Sequence, residues 1–250
     1  MQNMKNIKKK TLMKQSTLLL SAAAVFSLAA STAVAGGLPA GFEIIAGTGD
    51  GNWTASNNAD DFQVTDTDLG AQISGFTQTD SWTAEWDSIV FSTNPTVTAS
   101  FSFTNTTSMD QEFTVTVMTP ISPIGGNTVM QGSIGGSLVD NPGNAPGATL
   151  AAPSGGAIYT ALIDGNPVQT LHDDPFSFSV PDVTADSIPG ASFSNVAGPP
   201  AFTSIGIQHT FFLSAGDSVT FSSAFTVIPT PATVAVFGLA GFFGSRRRRH

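Results

Sequence analysis

The stretch Thr96–Thr104, TVTASFSFT, alternates without a break: Val97, Ala99, Phe101 and Phe103 fall on one side, and Thr96, Thr98, Ser100, Ser102 and Thr104 on the other. Successive side chains of a strand point to opposite faces, so this stretch reads as a half-buried β-strand with one wet face. Phe113, Val115 and Val117 against Glu112, Thr114 and Thr116 repeat the pattern. The polar connection Asn105–Gln111 between them predicts an antiparallel hairpin. A second hairpin is expected from Ile205–Leu213 and Val219–Val227, turning through Ser214–Asp217, with Val219, Phe221, Phe225 and Val227 inward.

Further strands are expected at Phe42–Ala46, Phe62–Thr65, Ala71–Thr77, Trp82–Phe91, Ala157–Ile163 and Phe176–Val180. No amphipathic run of helical period stands between positions 36 and 228. Many short strands with wet outer faces argue for an all-β fold. The expected form is two packed antiparallel sheets, a β-sandwich of jelly-roll or immunoglobulin-like type. The segment Thr119–Gly156 holds 9 Gly and 5 Pro in 38 residues, so it reads as mostly loop, with short strands at Thr128–Gln131 and Ser137–Val139. Ser187–Pro200 reads as the other long loop.

Charge is segregated along the 250-residue chain. All nine basic residues lie at the ends: Lys5, Lys8, Lys9, Lys10 and Lys14, then Arg246, Arg247, Arg248 and Arg249. All 18 carboxylates fall between Glu43 and Asp217, so the net charge of −9 averages two basic tails and a body of −18. Such a body cannot neutralise phosphates, which excludes nucleic acid as a partner. The absence of Cys excludes disulfide staples, thiol catalysis and Cys-ligated metal.

The ends read as addresses. Lysines in the first 14 residues, an apolar stretch from Ser16 to Ala30 and the small residues Ala33-Val34-Ala35 before Gly36 form a secretory signal peptide over 1–35, with cleavage expected after Ala35. The ectodomain then covers 36–228, long enough for one domain with a sizeable core. In the tail, 229–250, Pro229-Thr230-Pro231 precedes an apolar run from Ala232 to Gly244 and the four Arg. Thirteen residues at ~1.5 Å each give roughly 20 Å of helix, a marginal transmembrane span that snorkelling Arg and Val227-Ile228 extend. The Arg cluster would hold its end in the cytoplasm and leave the body outside.

This Pro-x-Pro step, apolar helix and Arg cluster together resemble the PEP-CTERM sorting signal of bacterial exosortase substrates, here with Thr230 where Glu is usual in that family. The resemblance implies a precursor tethered in the inner membrane and processed near Pro229–Pro231 by an exosortase-type enzyme. Release to the cell surface or to an extracellular polysaccharide (biofilm) matrix would follow. Partners would then be signal peptidase, the export machinery, that enzyme and matrix polysaccharide.

Within the body no G-x-S-x-G elbow, H-E-x-x-H or phosphate loop occurs. His209 falls in the inward register of Ile205, Ile207, Phe211 and Leu213, which favours a core role. His172 opens His172-Asp173-Asp174, where a turn explains the polar cluster as well as a catalytic or metal-binding role does. No catalytic residue and no obligatory cofactor are expected. Calcium is the alternative to solvated acids at Asp50, Asp60, Asp61, Asp66, Asp68, Asp173 and Asp174, in a body without competing cations. Trp82 and Trp86 share a face on which Val90 continues, so a core role is favoured over a sugar-stacking platform. The expected function is that of a non-enzymatic exported surface or matrix protein. A secreted carbohydrate-binding module and a secreted hydrolase stand as rivals.

Overall fold

The computed structural model describes residues 43–48, 51–55, 62–67, 70–92, 95–143 and 147–230. The signal peptide with Ala33, Ala35 and Gly36, and the tail from Pro231 through Arg246–Arg249, lie outside them.

The described residues form β1 (Glu43–Thr48), β2 (Gly51–Ala55), β3 (Phe62–Thr67), β4 (Gly70–Gln78), β5 (Trp82–Ser92), β6 (Thr96–Asn105), β7 (Gln111–Pro120) and β8 (Thr128–Val139). There follow β9 (Ala148–Ala151), β10 (Ala157–Ile163), β11 (Asn166–Asp173), β12 (Ser177–Val180), β13 (Ala185–Gly198), β14 (Ser204–Leu213) and β15 (Ser218–Pro229). They make an all-β sandwich of two antiparallel sheets. One sheet of eight strands runs β11-β10-β14-β7-β1-β2, with β9 joining β14 and β12 joining β9. The other, of seven, runs β13-β8-β15-β6-β5-β4-β3.

Both expected hairpins are corrected. Thr96–Thr104 and Phe113–Val117 are strands, but β6 and β7 belong to opposite sheets, as do β14 and β15. Their connections are arches, so the apolar faces meet across the core instead of lying side by side. Phe103 and Phe113 are 5.7 Å apart between ring centroids, and Phe211 and Phe221 5.1 Å. A hairpin would have put both apolar faces of each pair in one sheet, with nothing from the same ribbon to cover them. Asn105 ties the two arches together. Its Nδ2 donates to the carbonyls of Met109, Leu213 and Ser214 (2.8, 3.1 and 3.1 Å), and its Oδ1 accepts from the Thr107 amide and hydroxyl.

The true pairing is nested: β6 with β15, β7 with β14, β8 with β13, β9 with β12 and β10 with β11. The chain from Thr96 to Pro229 is thus one long antiparallel ribbon that winds from sheet to sheet and turns back at its tip. The tip is a two-residue turn between Ile163 and Asn166, with Asp164 at φ 51° and Gly165 at φ 75°. Positive φ at both central residues suits Asp-Gly and matches the strand twist.

Ser187–Pro200, expected as a loop, is strand β13 as far as Gly198, whereas Thr119–Gly156 is about half strand, in β7, β8 and β9, with its two expected short strands joined in β8. β8 runs unbroken for 12 residues. Its glycines answer to packing: a Cβ on Gly136 would lie 2.1 Å from the Thr220 carbonyl oxygen, and one on Gly132 would lie 2.6 Å from both the Phe193 ring and the Tyr159 hydroxyl. β13 is an edge strand with two register shifts, the first of which spans Pro189. An edge is where a sheet tolerates proline. In β5 a register shift between Trp86 and Ser88 changes the inward phase, so Ile89 and not Val90 follows the tryptophans into the core.

Candidate functional site

The two body histidines lie in different places. His209, on central strand β14, is fully buried, and its Nε2 lies 3.0 Å from the Ser223 hydroxyl. Phe101, Phe221 and Tyr159 surround the imidazole at centroid distances of 4.9, 5.2 and 5.7 Å. Burial pulls its pKa from 6.5 down to about 3, which keeps the ring neutral. The spacing is that of a base and a nucleophile. However, Ser223 is buried too, and the pair is sealed between the sheets with its Nδ1 unpartnered. His172 sits elsewhere, at the end of edge strand β11, against Phe176 with centroids 4.0 Å apart. Burial lowers its pKa, opposed by a hydrogen bond to the Pro189 backbone and by Asp173.

Trp82 and Trp86 are 1% and 3% exposed, core residues that offer no stacking platform. Asn105 of the Asn105-Thr106-Thr107 sequon is buried with its amide nitrogen engaged three times, so the folded chain presents no acceptor there.

Of the seven acids named for the calcium alternative, Asp66, Asp173 and Asp174 are among the described residues. Asp66 lies in β3 opposite Ala71. Asp173 and Asp174 are exposed, and Asp174 accepts from the Gly155 amide at 2.9 Å. Asp50, Asp60, Asp61 and Asp68 lie outside the described residues. Among the described residues no three His, Asp or Glu converge on a metal position.

Two other acid positions are the structured ones. Asp164 accepts from the backbone amides of Phe202, Thr203 and Ser204 and from the Thr203 hydroxyl. Burial pushes its pKa up, but these donors outweigh it and hold the carboxyl below its usual value. At the opposite end of the sandwich, Val139 pairs with Ser218 and Thr104 with Ser218, so one residue further out Asn105, Asp217 and Asp140 stand side by side. They are 0%, 1% and 3% exposed and close the core beneath the layer Phe103–Val219–Leu138. The parity of the strands carried the signal: Asp140 follows Leu138, and Asp217 precedes Val219, each at the inward phase.

On the outer face of the seven-stranded sheet, β6, β15 and β8 form an uncharged strip beside Glu85, which pairs with Ser102. Across β6, β15 and β8 run the rows Ser102–Thr220–Ser137, Ser100–Ser222–Gly135 and Thr96–Thr226–Gln131. These three strands contain no Asp, Glu, Lys or Arg. With the row Thr98–Ala224–Ser133 between the last two, hydroxyls are frequent but interrupted by Gly135, Ala224 and Gln131, at spacings of roughly 4.8 Å across strands and roughly 6.8 Å along them where they are neighbours. Some pair with one another, as Thr104 with Ser218 at 2.7 Å and Thr96 with Thr226 at 3.0 Å.

The expected sorting motif begins where the sandwich ends. Pro229 is the last residue of β15, opposite Thr128, and both the amide and the hydroxyl of Thr230 donate to the Asn127 carbonyl.

No protein-family model matches the chain, and no curated protein matches it. Among solved structures it is similar to a CBM61 carbohydrate-binding module in complex with β-1,4-galactotriose, at 11% identity and a TM-score of 0.26, over 60% of this chain and 88% of that one.

Proposed function

We propose that the chain is an exported, non-catalytic protein of the cell surface or extracellular polysaccharide matrix. The precursor is tethered in the inner membrane by its C-terminal apolar run and processed by an exosortase-type enzyme near Pro229-Thr230-Pro231. The observation that carries this reading is the segregation of charge: every Lys and Arg lies in an end segment and none in the body. The exposed Pro229-Thr230 step supports it, because the motif starts at the last residue of β15, where a processing enzyme would meet it at the end of the sandwich. The sealing of His209 and Ser223 supports a non-catalytic body, and the nested strand pairing supports a jelly-roll rather than an immunoglobulin-like sandwich. Intact-mass analysis of the native extracellular species tests the reading. A mature protein beginning near Gly36 and lacking the Arg tail is expected, and a released protein that retains Arg246–Arg249 would overturn the sorting account.

A second reading, that the body binds polysaccharide, is favoured by the uncharged hydroxyl face. Buried Trp82 and Trp86 make tryptophan emission a poor reporter of binding at that face, so retention on matrix polysaccharide is the measurement. Thr220→Glu, which plants a charge mid-lattice, is expected to weaken retention at least severalfold. Unchanged retention would remove the face from consideration.

A further inference from the structure

We infer that the closed end of the sandwich holds a divalent cation of the Ca2+ type, bound between Asp140 and Asp217. These two carboxylates occupy adjacent cross-strand positions, one residue beyond the Val139–Ser218 pair, and both belong to the buried row that caps the core. Like charges placed opposite each other on paired strands repel, and a carboxylate is almost never fully buried without a compensating charge. The hydrogen bonds present leave that charge standing. The partners of Asp217 include the Asn141 amide at 3.2 Å and the Ser214 hydroxyl, Asp140 Oδ2 accepts from the Val183 amide, and neutral donors of this kind carry no positive charge. Asp140 Oδ1 is enclosed with no partner.

Among the described residues no Lys or Arg is present to neutralise the pair, since the sequence has none between positions 15 and 245. What the end of the sandwich supplies is oxygen. Besides the two carboxylates there is Asn141, whose amide nitrogen is committed to the Gly216 carbonyl (2.9 Å) and the Ser218 hydroxyl (2.8 Å), which leaves its amide oxygen as a neutral donor. Two carboxylates with neutral oxygens and no imidazole or thiolate suit a hard cation that accepts many oxygen ligands. Two negative charges against one divalent ion leave the end of the core neutral. This site shares no residue with the acid pairs that the sequence alone singles out, and it does not depend on how the tail is processed.

The test uses the full chain, stripped with EGTA and probed by Ca2+ and by Tb3+. Trp82 pairs with Asn105 in the same row, so Tb3+ bound there is expected to show tryptophan-sensitised emission that Ca2+ displaces. Saturating Ca2+, at about 100 times its dissociation constant, is expected to raise the thermal midpoint by about 5–10 °C. Asp140→Asn keeps an acceptor for the Val183 amide but removes the charge, and is expected to lose both responses, whereas Asp173→Asn, at an exposed acid, keeps them. Wild-type protein that shows neither response, or Asp140→Asn protein that shows both, would overturn the assignment. If Asp140→Asn does not fold, the wild type decides alone: Tb3+ emission that millimolar Ca2+ leaves unchanged overturns it.

Discussion

His209 and Asp140 are both buried, and each leaves one side-chain atom, Nδ1 and Oδ1, without a partner. Their surroundings differ. His209 lies midway between the sheets among Phe101, Phe221 and Tyr159, with one hydroxyl at its Nε2. An imidazole answers that environment by shedding its proton, and a neutral ring with one good hydrogen bond costs little to bury. Asp140 stands beside a second carboxylate at the end of the core, where donors, arches and polar neighbours gather. The middle of this sandwich accepts polarity only in neutral form, and charge is pushed to its rim.

The largest expected effect tests the neutral half of that contrast. The folded pKa of His209 is about 3 against 6.5 for the free side chain, so the unfolded chain binds the proton first as pH falls. The stabilisation is complete above about pH 6.5 and is lost as pH drops toward 3, up to about 5 kcal/mol in all. His172 and Asp164, whose pKa values are also lowered, act in the same direction, so the informative quantity is a difference between proteins. Urea unfolding of His209→Leu/Ser223→Ala across that range is expected to show a shallower pH slope than wild type. Equal slopes would mean that the imidazole is not kept neutral by the core.

The charged half predicts a smaller but asymmetric loss. Asp217→Ala strands the Asn141 amide and the Ser214 hydroxyl and is expected to cost about 2–4 kcal/mol. Ser223→Ala removes one neutral hydroxyl and leaves the buried His209 Nε2 without its partner, and should cost about 1–2 kcal/mol. A reversal of that order in chemical denaturation would erase the distinction between the centre and the end.

The same contrast explains what could be read from the sequence. Period two places side chains on faces but does not say which strand is the neighbour. The two best-patterned segments were therefore recognisable as strands, while their crossing between sheets was not. Period two carried on from Leu138 and back from Val219 points Asp140 and Asp217 inward, yet Asp217 is expected in a turn and Asp140 past the end of a strand, because an acid there reads as the start of a loop until the partner strand is known. Gly132 and Gly136 look like loop residues because composition cannot register that a carbonyl and two aromatic side chains approach them. Asp164-Gly165 was a turn signal of the strongest short-range kind, but the strand after it, NPVQTLHD, opens with Asn-Pro and does not alternate, so β11 went without a pattern. Of the histidines, His209 followed its register into the core, whereas the place of His172 depended on β13 packing beside it.

A weaker, long-range effect separates charge at the rim from charge on the whole body. A body carrying 18 carboxylates and no strong cation repels itself, and salt screens that repulsion as the Debye length falls from ~10 Å at 0.1 M to ~3 Å at 1 M. The thermal midpoint is expected to rise with NaCl concentration. The rise should persist in Asp140→Asn, because it comes from the whole surface and not from one pair. A midpoint independent of salt would mean that the acids are already neutralised locally.

The smallest effect belongs to the hydroxyl face, the third environment for polarity in this sandwich. The Thr220 hydroxyl donates to Ser102 at 3.4 Å on a partly solvated surface, where water replaces the bond at little cost. Ser102→Ala is therefore expected to shift stability by less than about 0.5 kcal/mol. On the other side of the same strand pair, Phe221→Ala opens the aromatic core and should cost about 3–5 kcal/mol. If Ser102→Ala proved costly, the hydroxyls would be structural rungs of the sheet. If it is neutral, stability does not explain why β6, β15 and β8 carry hydroxyls and no charge, and the composition of that face must answer to what it touches outside the fold.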